Sequence, residues 1–385
     1  MSFQLSKSQK EIQKAAMAFA KGVFDKDLAF ESEKKGRFPV DIRQKAAELG
    51  FIGIHYPEDY NGGDQGLFEN VLVAEALCRK DSSMGIALML SGFSAECLFR
   101  YGPAEGGNKW LPLIVEGRVL AGAAFAENDA GWNPAVIATT VREEEEEWVV
   151  SGYKTHVPNG DKAAFYCVSC RMDMDKEDDL TPLPALILVE ADREGVSIEN
   201  RRDALGMRMT GAADIRFNNV RVPAENKIGR KGQGRNEIMG FYEEAWLLAS
   251  AMALGTARGA FARALVHIKK RHQFGRAIAS FQVIQHKIAD MAAQLEGVAE
   301  FVYSSAASFD RGERSTAVAA MTKLSACTMA LSVTSEAVQL LGGYGYMKEY
   351  EVERFYRDAR ALALFFGNSG FLKDVAAGSV IGKIK

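Results

Sequence analysis

The stretch RFYRDARALALFFGNSGFLKD, from Arg354 to Asp374, begins as a charged helix end, turns apolar and breaks into Gly367-Asn368-Ser369-Gly370. Small, turn-forming residues after an apolar run are where chains build binding loops. Yet between Arg360 and Lys373 no side chain takes or gives a proton near neutral pH. It reads as an active-site loop without an acid or a base.

Other chemistry-bearing groupings are weaker. Cys167-Val168-Ser169-Cys170 lies in FYCVSC, an apolar β-like run with no helix start after it. A redox pair of this spacing wants its first thiol at a helix N-terminus, and a zinc site wants a second pair. These cysteines are therefore expected to be structural. His55, His156, His267, His272 and His286 show neither HxH nor HExxH spacing, so no metal site is expected. Gly232-Gln233-Gly234 does not follow a strand within a βαβ unit and is no dinucleotide fingerprint. The run Glu143 to Glu147 reads as the solvated end of a hairpin.

Bulk properties bound the rest. The 385 residues allow two or three domains. The composition, 48% hydrophobic and 25% charged, is that of an ordinary globular protein. A net charge of −3 calls for neither nucleic acid nor an anionic membrane. No uninterrupted apolar run reaches the roughly 18 residues of a membrane span, and MSFQLSKSQKEIQ has no apolar signal core. A cytoplasmic protein is expected.

Three textures must position the loop. Up to about residue 120 the period is helical: Ser6 with Gln9 makes a capping box, and Ile12, Ala16 and Phe19 recur at helical spacing. EDYNGGDQG (58–66) is a loop by composition. Between about 121 and 229 short strands take over: REEEEEWVVSGYK reads as two strands about a turn, and PALILVEAD as a buried strand. In DIRFNNVRVP, Asn218-Asn219 between apolar residues signals a hairpin. From about 230 the helical period returns, with Ile284, Ile288, Met291, Leu295 and Val298 on one face of a long helix. The expected domains are a helical one (1–120), a β-domain (121–229) and a second helical one (230–385).

Three stretches are specific. Arg271-His272-Gln273-Phe274-Gly275 precedes Phe281-Gln282. Gln339-Leu340-Leu341-Gly342-Gly343-Tyr344-Gly345-Tyr346 leads into Glu353-Arg354 and Tyr356-Arg357-Asp358-Ala359-Arg360. Leu205-Gly206-Met207-Arg208 precedes Val220-Arg221-Val222-Pro223 and Asn226. In order and spacing they resemble the acyl-CoA dehydrogenase family of flavoproteins, over essentially the whole chain. The resemblance implies an α+β fold: a helical domain, a small β-barrel or sheet domain and a C-terminal four-helix bundle. It also implies FAD, an acyl-CoA thioester substrate oxidised between Cα and Cβ, an electron-transferring flavoprotein as acceptor, and an oligomer.

In the family the FAD site is shared between subunits, and the chain matches the two halves unequally. The half that clamps a neighbour's FAD is matched by Arg271, Phe274, Gln282, Gln339 and Gly343. Arg for phosphate charge and Gly for close backbone approach suit that role. The half that cradles the flavin ring falls on Phe125, Ala126, Trp132, His156, Pro158 and Asn368, and departs from the family repeatedly. Trp132 replaces a serine, His156 a tryptophan, and Pro158 a threonine whose hydroxyl the ring needs. The family's catalytic glutamate falls on Phe366, although the backbone N–H that would polarise the thioester remains.

Some members carry the glutamate on an earlier helix, at the position of Ala245 here; Glu244 is adjacent. One residue turns a side chain by about 100° around a helix, so Glu244 reaches the pocket only if the helix is re-registered; otherwise it reads as a solvated helix-start acid. Three functions stay open. One is an active dehydrogenase with Glu244 as displaced base. Another is a non-catalytic companion in a hetero-oligomer with an active paralogue. The last is a flavoenzyme of other chemistry.

Overall fold

The computed structural model describes residues 4–102, 109–173, 183–230 and 232–382. Helices α1 (Lys7–Val23), α2 (Lys26–Lys35), α3 (Val40–Glu48), α4 (Leu67–Lys80), α5 (Ser82–Met89), α6 (Glu96–Tyr101) and α7 (Trp110–Val115) form the N-terminal layer. The Ser6 capping box is present: Ser6 Oγ accepts from the Gln9 N–H at 3.1 Å, and Gln9 Oε1 from the Ser6 N–H at 2.9 Å. α4 is buried on nearly every side because α1, α8 and α9 all pack on it.

Strands β1 (Ala121–Ala124), β2 (Thr140–Glu144), β3 (Glu147–Val157), β4 (Phe165–Met172), β5 (Pro184–Glu190), β6 (Val196–Arg201), β7 (Ala213–Pro223) and β8 (Lys227–Ile228) make one sheet. Its order is β6-β7-β3-β2-β4-β5-β8, with β1 parallel to β4. The glutamate run forms the β2–β3 hairpin. Asn218-Asn219 does not form a hairpin. β7 runs on through it, with a register shift against β3 between Val150 and Gly152 and Asn219 at φ +50°. An extra residue in a continuous strand is a bulge, and two asparagines carry the same short-range signal for either outcome. Cys167 and Cys170 are buried in β4, and all five cysteines are free.

The C-terminal layer comprises α8 (Gly234–Lys270), the short β9 (His272–Gln273) and β10 (Arg276–Ala277), α9 (Gln282–Asp310), α10 (Thr316–Leu341), α11 (Val352–Leu362) and α12 (Ser369–Ile381). α10 sits at its centre, against α8, α9, α11 and α12. Met291 and Leu295 of α9 are buried, and Ile284, Ile288 and Val298 are half-buried against the same core. Ser82–Tyr101 and Thr316–Tyr346 are each long and apolar enough to cross a bilayer. Their apolarity has a local use, since the first is almost wholly buried and the second is the centre of the helical layer.

Candidate active site

The loop Phe365–Asn368 lies between α11 and α12, against α8 and α10. Phe366 takes φ +52° and Gly367 φ +110°, so the chain reverses through two successive left-handed residues. A phenylalanine held there is strained unless its surroundings fix it. Two donors do so: Trp246 Nε1 reaches the Phe366 carbonyl at 2.6 Å, and Lys323 Nζ the Gly367 carbonyl at 2.7 Å. Lys323 is wholly buried, and burial pulls its ammonium down to about 8. Asn368 Oδ1 accepts from the Phe371 N–H at 3.0 Å and caps α12, so the Asn368 carbonyl oxygen is already occupied. The Phe366 N–H has no acceptor among the described residues.

The Phe366 ring, 1% exposed, sits in an aromatic cage. Its centroid lies 4.8 Å from Trp132, 4.0 Å from Phe365, 5.5 Å from Phe93 and 5.6 Å from Phe241. Phe241 in turn stacks on Phe125 at 4.8 Å. Tyr242 donates its hydroxyl to the Trp132 carbonyl at 2.9 Å and so ties that loop to α8. Packing of this kind contributes beyond area alone. Phe125, Trp132 and Phe366 thus come together in one aromatic cluster, Phe125 through Phe241 and Trp132 directly against Phe366.

The other ring-side residues offer a flavin little. Ala126 is buried, and its carbonyl accepts from the Thr155 N–H at 2.8 Å. Next to it, Glu127 accepts from the Ala138 and Thr139 N–H groups at 2.7 and 3.0 Å and from Lys154 Nζ at 2.8 Å. Burial opposes the charge on Glu127, but the Lys154 ammonium and these donors hold its carboxyl below the ordinary range. It is a structural anchor. His156 is exposed at φ +51°, and its N–H donates to Asp214 at 3.1 Å. Pro158 is buried and has no N–H to give. The side chains of Phe125, Ala126 and Pro158 offer no hydrogen bond to a flavin ring, and one face of Phe125 is covered by Phe241 at 4.8 Å. This half lacks the side-chain hydroxyls that the resemblance leads one to expect at Trp132 and Pro158.

Glu244 was expected either in the pocket of a re-registered helix or in solvent, and neither holds. α8 is a continuous helix through this segment, and Glu244 is well inside it and 0% exposed. Arg100 donates to it through Nε at 2.9 Å and Nη2 at 3.3 Å, and Arg314 stands 3.8 Å away. Burial, reinforced by Glu96, pushes its carboxyl up to about 8 against the pull of both arginines. The regular helix turns Glu244 toward α6, while Phe241, Tyr242 and Trp246 face the cage and loop. Glu96, one turn before Arg100, pairs with His55. Sequence reading missed this network, because its members are spread from residue 55 to 314 and share no local pattern. It also missed Phe93, Phe241 and Lys323, which sit in helices too uniformly apolar to show a face.

The second half is open. Arg271, Gln282, Gln339 and Gly343 are all exposed, and Phe274 is 91% exposed. Phe274 (φ +52°) and Gly275 (φ +77°) form the tip of the β9–β10 hairpin. A bulky aromatic held left-handed with its ring in solvent costs stability and marks a contact surface. Beside it a cavity of about 570 Å³ is lined by His267, Arg271, Leu341, Tyr344 and Tyr350. Arg271 lies over the Tyr344 ring at 5.9 Å, and Tyr346 beyond is 83% exposed. An arginine, glutamines, a glycine with open space around it and a free aromatic ring fit the pyrophosphate and adenosine of a dinucleotide.

Comparisons with known proteins agree with this layout. Family models described as acyl-CoA dehydrogenase N-terminal, middle and C-terminal domains match residues 6–118, 122–220 and 232–381. Acryloyl-CoA reductase (NADH) of Anaerotignum propionicum is 32% identical, over 99% of this chain and 96% of its own. A caffeyl-CoA reductase–Etf complex subunit of Acetobacterium woodii is 31% identical, over 98% of this chain and 99% of its own. The butyryl-CoA dehydrogenase structure from Megasphaera elsdenii superposes with a TM-score of 0.92 at 29% identity, covering 99% of this chain and 100% of that one. Helical, sheet and helical domains recur in the same order and at full length, so the chain belongs to the acyl-CoA dehydrogenase family, the flavin-dependent oxidoreductases of CH–CH bonds.

Proposed function

We propose that this chain is a companion subunit in a hetero-oligomeric acyl-CoA dehydrogenase. Its Arg271–Phe274 and Gln339–Gly343 surface clamps the FAD of an active paralogue, and its own ring-side pocket carries out no chemistry. One observation carries the reading: Phe366 stands where the catalytic glutamate is expected and is enclosed by Phe93, Trp132, Phe241 and Phe365. A buried phenylalanine accepts no α-proton, and the rings around it supply no base in its place. The exposed clamp, by contrast, is chemically intact. In this proposal the partner supplies the glutamate. The assembly works in the cytoplasm on an acyl-CoA and passes electrons to an electron-transferring flavoprotein.

A second reading keeps the chain as an active homo-oligomeric dehydrogenase with Glu244 as base. The carboxyl lifted to about 8 favours it, since a base of that strength suits an α-proton. The double hydrogen bond from Arg100 weighs against it. Co-expression with a paralogue that has a glutamate in the loop distinguishes the two. The companion reading expects a mixed oligomer whose activity falls when Arg271→Ala is made in this chain and is unchanged by Glu244→Gln. An active homo-oligomer inactivated by Glu244→Gln contradicts it.

A further inference from the structure

On the face formed by the C-terminal end of α2, the start of α3 and the β-domain, two adjoining cavities of about 460 and 360 Å³ share Gly36, Arg37, Asp161 and Gly211. The first has an apolar floor of Phe38, Val119, Leu120, Ala164 and Met209. The second is walled by basic side chains, among them Lys34, Lys35, Arg201, Arg202 and Arg208. Their size falls in the range of small-molecule sites, roughly 300–1,000 Å³.

The charge here is not neutralised. Arg201 pairs with Asp161 at 3.3 Å, Arg208 with Asp203 at 2.6 Å, and Arg202 with Asp214. Arg118 pairs with Glu116 at 3.3 Å, and Arg43 donates to the Gly117 carbonyl at 3.0 Å. That leaves Lys34, Lys35, Arg37 and Lys162 with neither a carboxylate nor a carbonyl partner among the described residues. Four unpaired cations around one cleft oppose a net charge of −3 for the whole chain. Gly36, at φ +65°, ends α2 with a left-handed turn that sends Lys34 and Lys35 to one side of the cleft and the Arg37–Phe38 segment along it. α3 opens onto the first cavity at Val40. Its N-cap, Pro39, supplies no side-chain acceptor, so first-turn N–H groups stay free there; Asp41 is the one acid in that turn.

An apolar slot adjoining an unneutralised basic wall is the complement of a flat, weakly polar body carrying two phosphates. We infer that this cleft binds a nucleoside diphosphate group, with the base on the Phe38–Met209 floor and the phosphates against Lys34, Arg37 and Lys162. The inference is independent of the companion reading, since no residue of the cleft belongs to the loop, the cage or the clamp.

The test is calorimetric titration of the full chain carrying Arg271→Ala, so that the clamp does not compete. ADP and inorganic pyrophosphate are the two probes. The inference expects one ADP per chain, weaker binding of pyrophosphate, and loss of ADP affinity by at least about tenfold in Arg37→Glu/Lys162→Glu. Lys34→Ala/Lys35→Ala, which is confined to the surface, gives a smaller loss in the same direction and guards against misfolding of the charge-reversed variant. Absence of saturable ADP binding overturns the inference, and so does ADP affinity unchanged in both variants. Equal affinity for ADP and pyrophosphate overturns the nucleoside assignment.

Discussion

Trp246 holds Phe366 by its backbone, with the indole N–H 2.6 Å from the Phe366 carbonyl oxygen, while the Phe366 side chain is held by rings. The loop is therefore fixed twice, in a left-handed conformation a phenylalanine would otherwise avoid. Trp246→Phe keeps the ring but leaves a buried carbonyl unmet. It is expected to cost about 1–3 kcal/mol, read from the urea midpoint. A midpoint unchanged from the parent would show that the hydrogen bond does not fix the loop.

Phe366→Glu restores the family's residue type without restoring its surroundings. The carboxyl enters a cage of Phe93, Trp132, Phe241 and Phe365, rings that carry no charge to balance it. Lys323 is already engaged with the Gly367 carbonyl. A loss of about 3 kcal/mol in stability is expected, with no dehydrogenase activity gained by the chain alone. Acyl-CoA-dependent reduction of a ferricenium dye by this single variant would show that the rest of the site was intact.

Glu244→Gln separates architecture from catalysis. It leaves Arg100 and Arg314 beside a neutral amide in a buried network. A carboxyl lifted to about 8 is itself mostly protonated at pH 7, so the amide replaces one neutral acceptor by another and the cost is that of a perturbed hydrogen bond, about 0.5–1.5 kcal/mol. A small fall in denaturation midpoint at pH 7 is expected, with unaltered flavin bleaching in the mixed oligomer. Unchanged stability together with lost bleaching would assign Glu244 to the chemistry instead.

Asp358 gives a pH signature. It is wholly buried, accepts from Ser82 and Ser83 Oγ at 2.5 Å each, and takes the Met207 N–H at 2.7 Å. Burial raises its carboxyl from 3.8 to about 6. The unfolded chain releases this proton first, so the folded state loses stability as pH climbs from about 4 to 6. The Asp358 contribution is full below that window and absent above it, up to about 3 kcal/mol. Asp358→Asn does not ionise, and its stability–pH profile should be flatter across the window. Parallel profiles for the two proteins would place the titration elsewhere.

Much of the fold was legible because it is written locally. The Ser6–Gln9 box, the β2–β3 hairpin and the stripe along α9 each depend on residues a few positions apart. The Asn218-Asn219 bulge was misread because it differs from a hairpin only in what lies across the sheet. At the site, motif position named Phe366, Trp132 and Arg271, but not what surrounds them. The aromatic cage joins residues from Phe93 to Phe366, and the Glu244 network residues from His55 to Arg314. Contacts of that range follow from helix packing rather than from spacing. Glu244 shows the consequence most plainly: its neighbour in sequence faces the pocket side of α8, and a regular helix turns Glu244 itself toward Arg100.

The central claim is that this chain's own flavin pocket lacks the expected hydroxyls and base while the clamp it lends is open. The most direct measurement is the FAD content of the purified chain alone, set against that of the chain co-purified with an active paralogue. The claim predicts far less than one tightly bound FAD per chain for the protein alone, and FAD in the mixed oligomer that is lost with Arg271→Ala. One tightly held FAD for every copy of this chain in a homo-oligomer would contradict it.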